Sequence, residues 1–361
     1  MKIIFITQDG IELPTARVRG YSFARKLREF GLETEVLSLR DDLKAPYFAD
    51  PAFSDFKKLI LGFKLFWHLI DQKEALFYVQ KVDYHSLFVY IVALIKGNKI
   101  ILDIDDWEDK RKVFFWLKVQ TLTVFLSKRA WKCIASSQFL FTYLKDFNFN
   151  TYLIETVVDE KLFFPEPKNS NENKDKVVFS WAGIVIGKRM YDNLVFVIEC
   201  FNELTKAEKN VSLEIVGEGP LMPHIKKVID EQYKEVSIEF KGCIEPDKMS
   251  AYYDTVEVGL LPLIQKTKFI FAKSPTKMFE YMAKEIPVVA SKVGEPALIL
   301  SHGENGFLAS DKEEFVDCMR RLATDVNLRK QIGKQARKLI EEKYCLTVAG
   351  EKLRTIVESR C

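Results

Sequence analysis

The residues best suited to chemistry lie between positions 268 and 308, where Ser274, Pro275, Thr276, Lys277 and Glu280 fall in one short stretch. Ser274 suits a helix N-cap and Pro275 the first helical position. The predicted helix then opens with the backbone amides of Thr276 and Lys277, and such a start attracts phosphate. About one turn further on, the Glu280 carboxylate is placed to accept hydrogen bonds from sugar hydroxyls. Ile286 to Ala290 reads as a buried parallel strand, followed by Gly294 and Glu295. A diphosphate at the helix mouth with a carboxylate beside it suits a nucleotide-sugar. An ordinary capped helix in an αβ unit suits the same residues, and the segment alone leaves both open.

Three further groups carry charge at predicted strand ends. Gly183 to Lys188 offers a flexible turn and a cation. Arg17 and Arg19 bracket the first turn of a helix that Thr15 is placed to cap. Two arginines there oppose the helix dipole, a small cost that a donor or acceptor phosphate offsets, and a solvated basic face is the equal alternative. Asp103, Asp105 and Asp106 close a buried strand, where carboxylates orient acceptor or sugar hydroxyls or hold a divalent cation. Asp105 and Asp106 are the active-site candidates, and no metal is expected.

Strands alternating with helices must position these groups. Strands are expected at residues 2–7, 35–39, 76–80, 99–103, 134–136 and 152–155, with helices over 15–30 and 86–95. Residues 165–176, polar and Pro-containing, read as a linker. A second series follows, with strands at 177–182, 213–217, 237–240, 258–262 and 288–291, a helix after Tyr191, and a last helix over about 347–359. This is the signature of parallel sheets covered on both faces.

The expected division is an N-terminal domain over 1–165, a linker over 166–176, a second domain over 177–340, and a terminal segment 341–361 returning to the first domain. Two such domains face each other across a cleft where ligands bind.

Composition narrows the function class. The 361 residues are 48% hydrophobic and 29% charged, as in ordinary globular proteins. A net charge of +3 is too small to imply nucleic acid, and none is expected as a partner. The six cysteines form no C-x-x-C pair, which argues against a zinc site or a disulfide framework. The opening apolar run is too short for a signal peptide. No stretch of about 18 apolar residues predicts a transmembrane helix. The expected location is the cytoplasm, or the inner face of the cytoplasmic membrane. Residues 56–70 and 111–131 mix Lys and Arg with Phe, Trp and Leu, as interfacial helices do. A buried helix face with snorkelling lysines is the other reading.

Several short motifs, in order, carry a resemblance. Val216-Gly217-Glu218-Gly219-Pro220, Phe240-Lys241-Gly242, Tyr252-Tyr253-Asp254 and Val258 to Leu263 precede the Glu280 segment, while Ser136-Ser137 and Val158-Asp159 stand in the first half. Together they resemble the GT-B retaining glycosyltransferases with a Glu-x7-Glu motif, in a branch that builds bacterial surface polysaccharides.

The resemblance implies an α/β fold of the GT-B kind, with two doubly wound Rossmann-like domains. It implies a UDP- or GDP-linked sugar as donor, a saccharide or lipid-linked saccharide as acceptor, and no cofactor. Glu280 falls on the second motif Glu, which holds ribose hydroxyls; Ser274, Thr276 and Lys277 flank it on the donor side. Gly183 and Lys188 fall on the diphosphate clamp, and the backbone of Gly242 to Ile244 on the base-reading segment. Two positions depart from the motif. Ala272 stands where the first Glu contacts the transferred sugar, and Ile184 stands where the clamp has Arg, with Arg189 nearby. The implied reaction is front-face transfer with retention. A GT-B-type sugar-nucleotide epimerase and a non-catalytic nucleotide-sugar-binding subunit are the alternatives.

Overall fold

The computed structural model describes residues 2–46, 53–108, 111–165 and 176–359. Most of the expected linker, residues 166–175, lies outside them. The chain divides into two compact units. Met1–Asp159, Phe271–Ser274 and Tyr344–Cys361 form the first; Glu160–Ile270 and Pro275–Lys343 form the second.

The first unit holds a six-stranded parallel sheet. Its strands are β1 (Ile3–Thr7), β2 (Thr34–Ser38), β3 (Leu76–Gln80), β4 (Lys99–Ile104), β7 (Lys132–Ala135) and β8 (Thr151–Leu153), in the order β2-β1-β3-β4-β7-β8. A small antiparallel hairpin, β5 (Lys112–Phe114) and β6 (Leu117–Lys118), stands apart from it. β1 and β3 are buried at every position, because helices cover both faces of the sheet. One of those helices, Leu346–Glu358, packs on the helix Phe23–Glu29. Their approach is close: a Cβ at Gly350 would stand 2.4 Å from the Lys26 side chain.

The second unit repeats the plan. β9 (Val177–Ala182), β10 (Val211–Val216), β11 (Ile238–Gly242), β12 (Val258–Leu261), β13 (Val288–Ser291) and β14 (Phe307–Ala309) run parallel in the order β11-β10-β9-β12-β13-β14. In both sheets the chain winds outward one way and then the other. The strand order therefore reverses between β1 and β3 in the first unit and between β9 and β12 in the second. Strand ends at such a reversal splay apart and leave a crevice. The expected fold class, α/β with two doubly wound Rossmann-like sheets, is the one observed.

Three local expectations are corrected. The single helix over 15–30 is instead Pro14–Ala16, a π-helical stretch Arg17–Ser22 and Phe23–Glu29, and Thr15 caps nothing. The wide turn carries Arg19 inward to a buried carboxylate, an interaction that outweighs regular helix geometry. The helix placed after Tyr191 begins at Lys188. Residues 111–131 are a hairpin followed by a short helix, Val119–Ser127, and not one amphipathic helix.

Candidate functional site

In the second unit, backbone builds the site. The turns after β9, β10 and β11 are bound to one another: Gly183 N donates to Val216 O at 3.0 Å, and Gly217 N donates to Gly242 O at 2.7 Å. Glycine is required here. Gly217 has φ +112°, and a Cβ on it would sit 1.9 Å from the Gly183 carbonyl oxygen. Gly219 has φ +146°, with its would-be Cβ 2.6 Å from Val185 O. Ile244, just beyond Gly242, is half-buried.

This platform leads into the long helix Lys188–Ala207, whose N-cap is Gly187 with no side-chain cap. The first amides of such a helix favour an anion. Lys188 is 85% exposed, and both Asp192 carboxylate oxygens accept from its Nζ, at 2.7 and 2.8 Å. Its neighbour Arg189 is held differently, with the guanidinium 3.9 Å from the centre of the Phe269 ring. Ile184 is exposed and carries no charge to the turn.

Glu280 lies on the helix Thr276–Ala283 and is 3% exposed. Its Oε2 accepts from Tyr253 Oη at 2.8 Å and from Lys277 Nζ at 3.0 Å. Burial first, then the Glu280 charge, pushes the Tyr253 hydroxyl well above its ordinary pKa, so it stays a donor. The carboxylate is thus fixed through one oxygen. Beside it, Tyr281 Oη donates to Ser180 O at 3.1 Å, and Ser180 Oγ and Tyr252 Oη share a hydrogen bond of 2.8 Å. Lys277 at i−3 from Glu280 is legible as a pair in the sequence; Tyr253 is not, since 27 residues separate it from Glu280.

Ser274 is a correction. Pro275 is the N-cap of the helix, without a side-chain bond, and Thr276 is its first residue. The Ser274 hydroxyl instead accepts from Thr156 N at 3.1 Å within the first unit. Ala272 belongs to that unit as well, fully buried in its apolar core.

The first unit carries charged side chains at the corresponding strand ends. Lys81, at φ +63° directly after β3, donates to Asp9 Oδ2 at 3.1 Å. Gln8 donates to Asp83 Oδ2 at 2.9 Å, and Arg111 reaches the same oxygen at 3.1 Å. Asp105 is 3% exposed, with no hydrogen-bond partner on either carboxylate oxygen. Burial pushes it up to about 7 against the pull of Lys81, and Asp106 and Asp103 add to the rise. Burial lowers the Lys81 ammonium, but Asp105, Asp9 and Asp106 together outweigh it and hold the group charged. A cavity of about 20 Å3 opens beside Asp105 and Asp106, lined also by Lys81, Trp107, Arg111 and Tyr143. It has room for one water-sized group.

Asp103 and Arg19 take another role. Arg19 is fully buried, bonds both Asp103 oxygens at 2.6 and 2.8 Å, and donates to Ile154 O at 2.8 Å. Tyr78 Oη donates to Asp103 Oδ2 at 2.8 Å. Arg19 is therefore a structural cation within the unit, which corrects the expected phosphate contact. Arg17 donates to the carbonyls of Ile11 and Glu12, at 3.4 and 3.3 Å. His85, far from Asp105 in sequence, lies buried near Asp83; burial lowers it to about 4, so it is neutral at pH 7. Among the described residues, no group of three or more His, Cys, Asp or Glu is arranged to hold a metal.

Comparison with known proteins bears on the second unit most directly. The family model for group 1 glycosyl transferases matches residues 179–325. Residues 179–325 are therefore similar to the group 1 glycosyl transferases. They contain the glycine platform, the Lys188–Ala207 helix and Glu280. The chain is 23% identical over 181 residues to the alpha-D-kanosaminyltransferase of Streptomyces kanamyceticus, covering 50% of this chain and 45% of that protein. It spans about half the length of the curated relatives it matches.

Among solved structures, Anabaena HepE in complex with UDP and glucose matches with a TM-score of 0.73 at 16% identity, over 100% of both chains. The sucrose-phosphate synthase of Thermosynechococcus elongatus matches with a TM-score of 0.75 at 15% identity, over 99% of this chain and 98% of that one. At these identities the likeness is one of fold, and the fold is GT-B.

Proposed function

We propose that this protein is a retaining glycosyltransferase that moves a sugar from a nucleotide-sugar to a saccharide or lipid-linked saccharide in surface polysaccharide synthesis. The observation that carries the reading is Glu280, a buried carboxylate fixed through Oε2 by Tyr253 and Lys277 within residues 179–325. A carboxylate held that way accepts two ribose hydroxyls without rearrangement. The glycine platform brings backbone close to a diphosphate and a base edge, with Gly183, Gly242 and Ile244 along it. The first amides of the Lys188–Ala207 helix meet the phosphates, and Thr276 and Lys277 sit on the ribose side. HepE, with which this chain shares its fold, holds UDP and glucose, which favours a UDP-linked donor.

In the proposed reaction the bond from the anomeric carbon to the phosphate oxygen breaks, and a bond to the acceptor oxygen forms on the same face. The acceptor proton passes to the departing phosphate oxygen. Charge grows on the diphosphate as it leaves, and a cation there stabilises the transition state more than the ground state. Arg189 is better prepared for this than Lys188, because Asp192 already neutralises Lys188. Asp105 and Asp106 orient acceptor hydroxyls.

A panel of UDP- and GDP-linked sugars, scored for thermal stabilisation and for slow hydrolysis, tests the reading. Stabilisation with hydrolysis of one donor is expected. Ala272, apolar and buried where the motif has a Glu, favours the second reading, a binding subunit. Stabilisation without hydrolysis or transfer would select that reading.

A further inference from the structure

Ten of the nineteen large hydrophobic side chains that lie exposed among the described residues fall between positions 56 and 125. Three adjoining pieces of the first unit carry nine of them. On the helix Asp55–Leu69, Phe56, Ile60, Phe63 and Trp67 recur at helical spacing and form one outward stripe, with Phe56 70% and Trp67 69% exposed. The tip of the β5–β6 hairpin adds Phe115 and Trp116, 71% and 82% exposed.

The hairpin is tied to the start of that helix. Phe115 N donates to Asp55 Oδ2 at 2.7 Å, and Lys58 Nζ donates to Val113 O at 2.9 Å. The helix Tyr84–Lys96 packs alongside, so closely that a Cβ on Gly62 would stand 2.1 Å from the Phe88 ring. One and two turns beyond Phe88, Ile91 and Ile95 are exposed. The pieces therefore make one apolar surface, and a soluble monomer rarely leaves such a patch uncovered.

Charge identifies what covers it. Residues 56–70, 84–102 and 111–133 contain eleven Lys and Arg and no Asp or Glu, in a chain with 54 basic and 51 acidic residues. Lys57, Lys64, Lys112 and Lys118 are exposed among the aromatic and aliphatic side chains. A second copy of this face would set like charges against each other. A polyanion such as nucleic acid would leave the Phe and Trp stripe in water. An anionic bilayer answers both features, taking the rings at the acyl boundary and the ammonium groups among its headgroups.

We propose that this face docks the protein on an anionic lipid surface, with the Phe115–Trp116 hairpin tip and the Phe56–Trp67 stripe entering the interface. Among the described residues no helix is long and apolar enough to cross a membrane, so the docking is peripheral. The inference rests on the first unit alone and stands apart from the donor reading.

The test is co-sedimentation of the full chain with vesicles of phosphatidylcholine, with and without phosphatidylglycerol, from low to high salt. Binding is expected only with the anionic lipid, falling as salt screens the lysines. Lys57→Glu with Lys64→Glu should lower partitioning by at least about tenfold. Trp116→Ser should weaken it further and remove part of the blue shift of tryptophan emission on binding. Unchanged melting temperature in each variant shows that the unit is folded. No binding to anionic vesicles at low salt overturns the proposal. So does binding that these substitutions leave intact, or vesicle-independent self-association that they abolish.

Discussion

The two units set the same sheet plan to different uses. Each has six parallel strands whose order reverses once. In the second unit the crevice is made of backbone, with Gly217 against Gly183 and Gly242, Gly219 against Val185, and one fixed carboxylate, Glu280. In the first it is made of side chains, with Lys81 bonded to Asp9 and Arg111 to Asp83, beside an Asp105 carboxylate that has no hydrogen bond. Backbone amides offer fixed donors with no ionisation to manage, as a constant diphosphate requires. Side-chain charges adapt to different hydroxyl patterns, but burying them makes stability depend on every partner.

That contrast predicts where substitution does most harm. The largest effect should come from Asp103→Ala, which leaves the Arg19 guanidinium buried without its carboxylate. Chemical denaturation should show a loss of about 3–5 kcal/mol in the first unit, with little change in nucleotide binding by the second. Glu280→Ala should cost about 2–4 kcal/mol in donor binding or turnover in a folded protein. Unchanged kinetics would remove Glu280 from the donor site.

Gly217→Ala forces a Cβ against the Gly183 carbonyl at a positive φ. It should destabilise by about 1–3 kcal/mol and misplace the turns that the nucleotide meets. Calorimetry with the nucleoside diphosphate should show the affinity falling together with the melting temperature.

The cations sharpen the comparison further. Arg189→Ala should lower kcat by about tenfold with a smaller change in KM, because its partner charge grows as the bond breaks. Lys188→Ala should do less, since its charge is already paired with Asp192. The reverse order would return the leaving-group role to Lys188.

A pH dependence probes the buried Asp105. Asp105 has a pKa raised to about 7, so the folded state holds a proton that the unfolded chain releases near pH 4. Stability should therefore fall as pH rises from about 4 to 7 and level off above that. Denaturation curves for Asp105→Asn should lack that slope; an unchanged slope would place the titration elsewhere.

Much of this was legible without coordinates. Apolar runs of strand length alternating with helical spacing implied parallel sheets, because a strand buried on both faces needs no polar alternation. The ordered glycine motifs carried the resemblance, and the short spacing from Ser274 to Glu280 placed a carboxylate one turn into a helix, since both depend on near neighbours in sequence. What local spacing misplaced were groups whose partners lie far away. Ser274 has every mark of an N-cap, yet its hydroxyl accepts from Thr156 N instead. Arg19 reads as a surface cation, but Asp103, 84 residues on, draws it into the core through a π-helical turn.

The sequence by itself determined the strand and helix series, the turns that only glycine can make, and the i, i+3 pair on the Glu280 helix. These follow from backbone sterics and short-range geometry. Only the tertiary structure decided which charges are free to meet a ligand. It gave Lys188 to Asp192 and stacked Arg189 on Phe269. It buried Ala272 in an apolar core and left the Asp105 carboxylate without a hydrogen bond. Whether a charge stays available depends on the desolvation and partners that folding imposes, and those are set by residues distant in the chain.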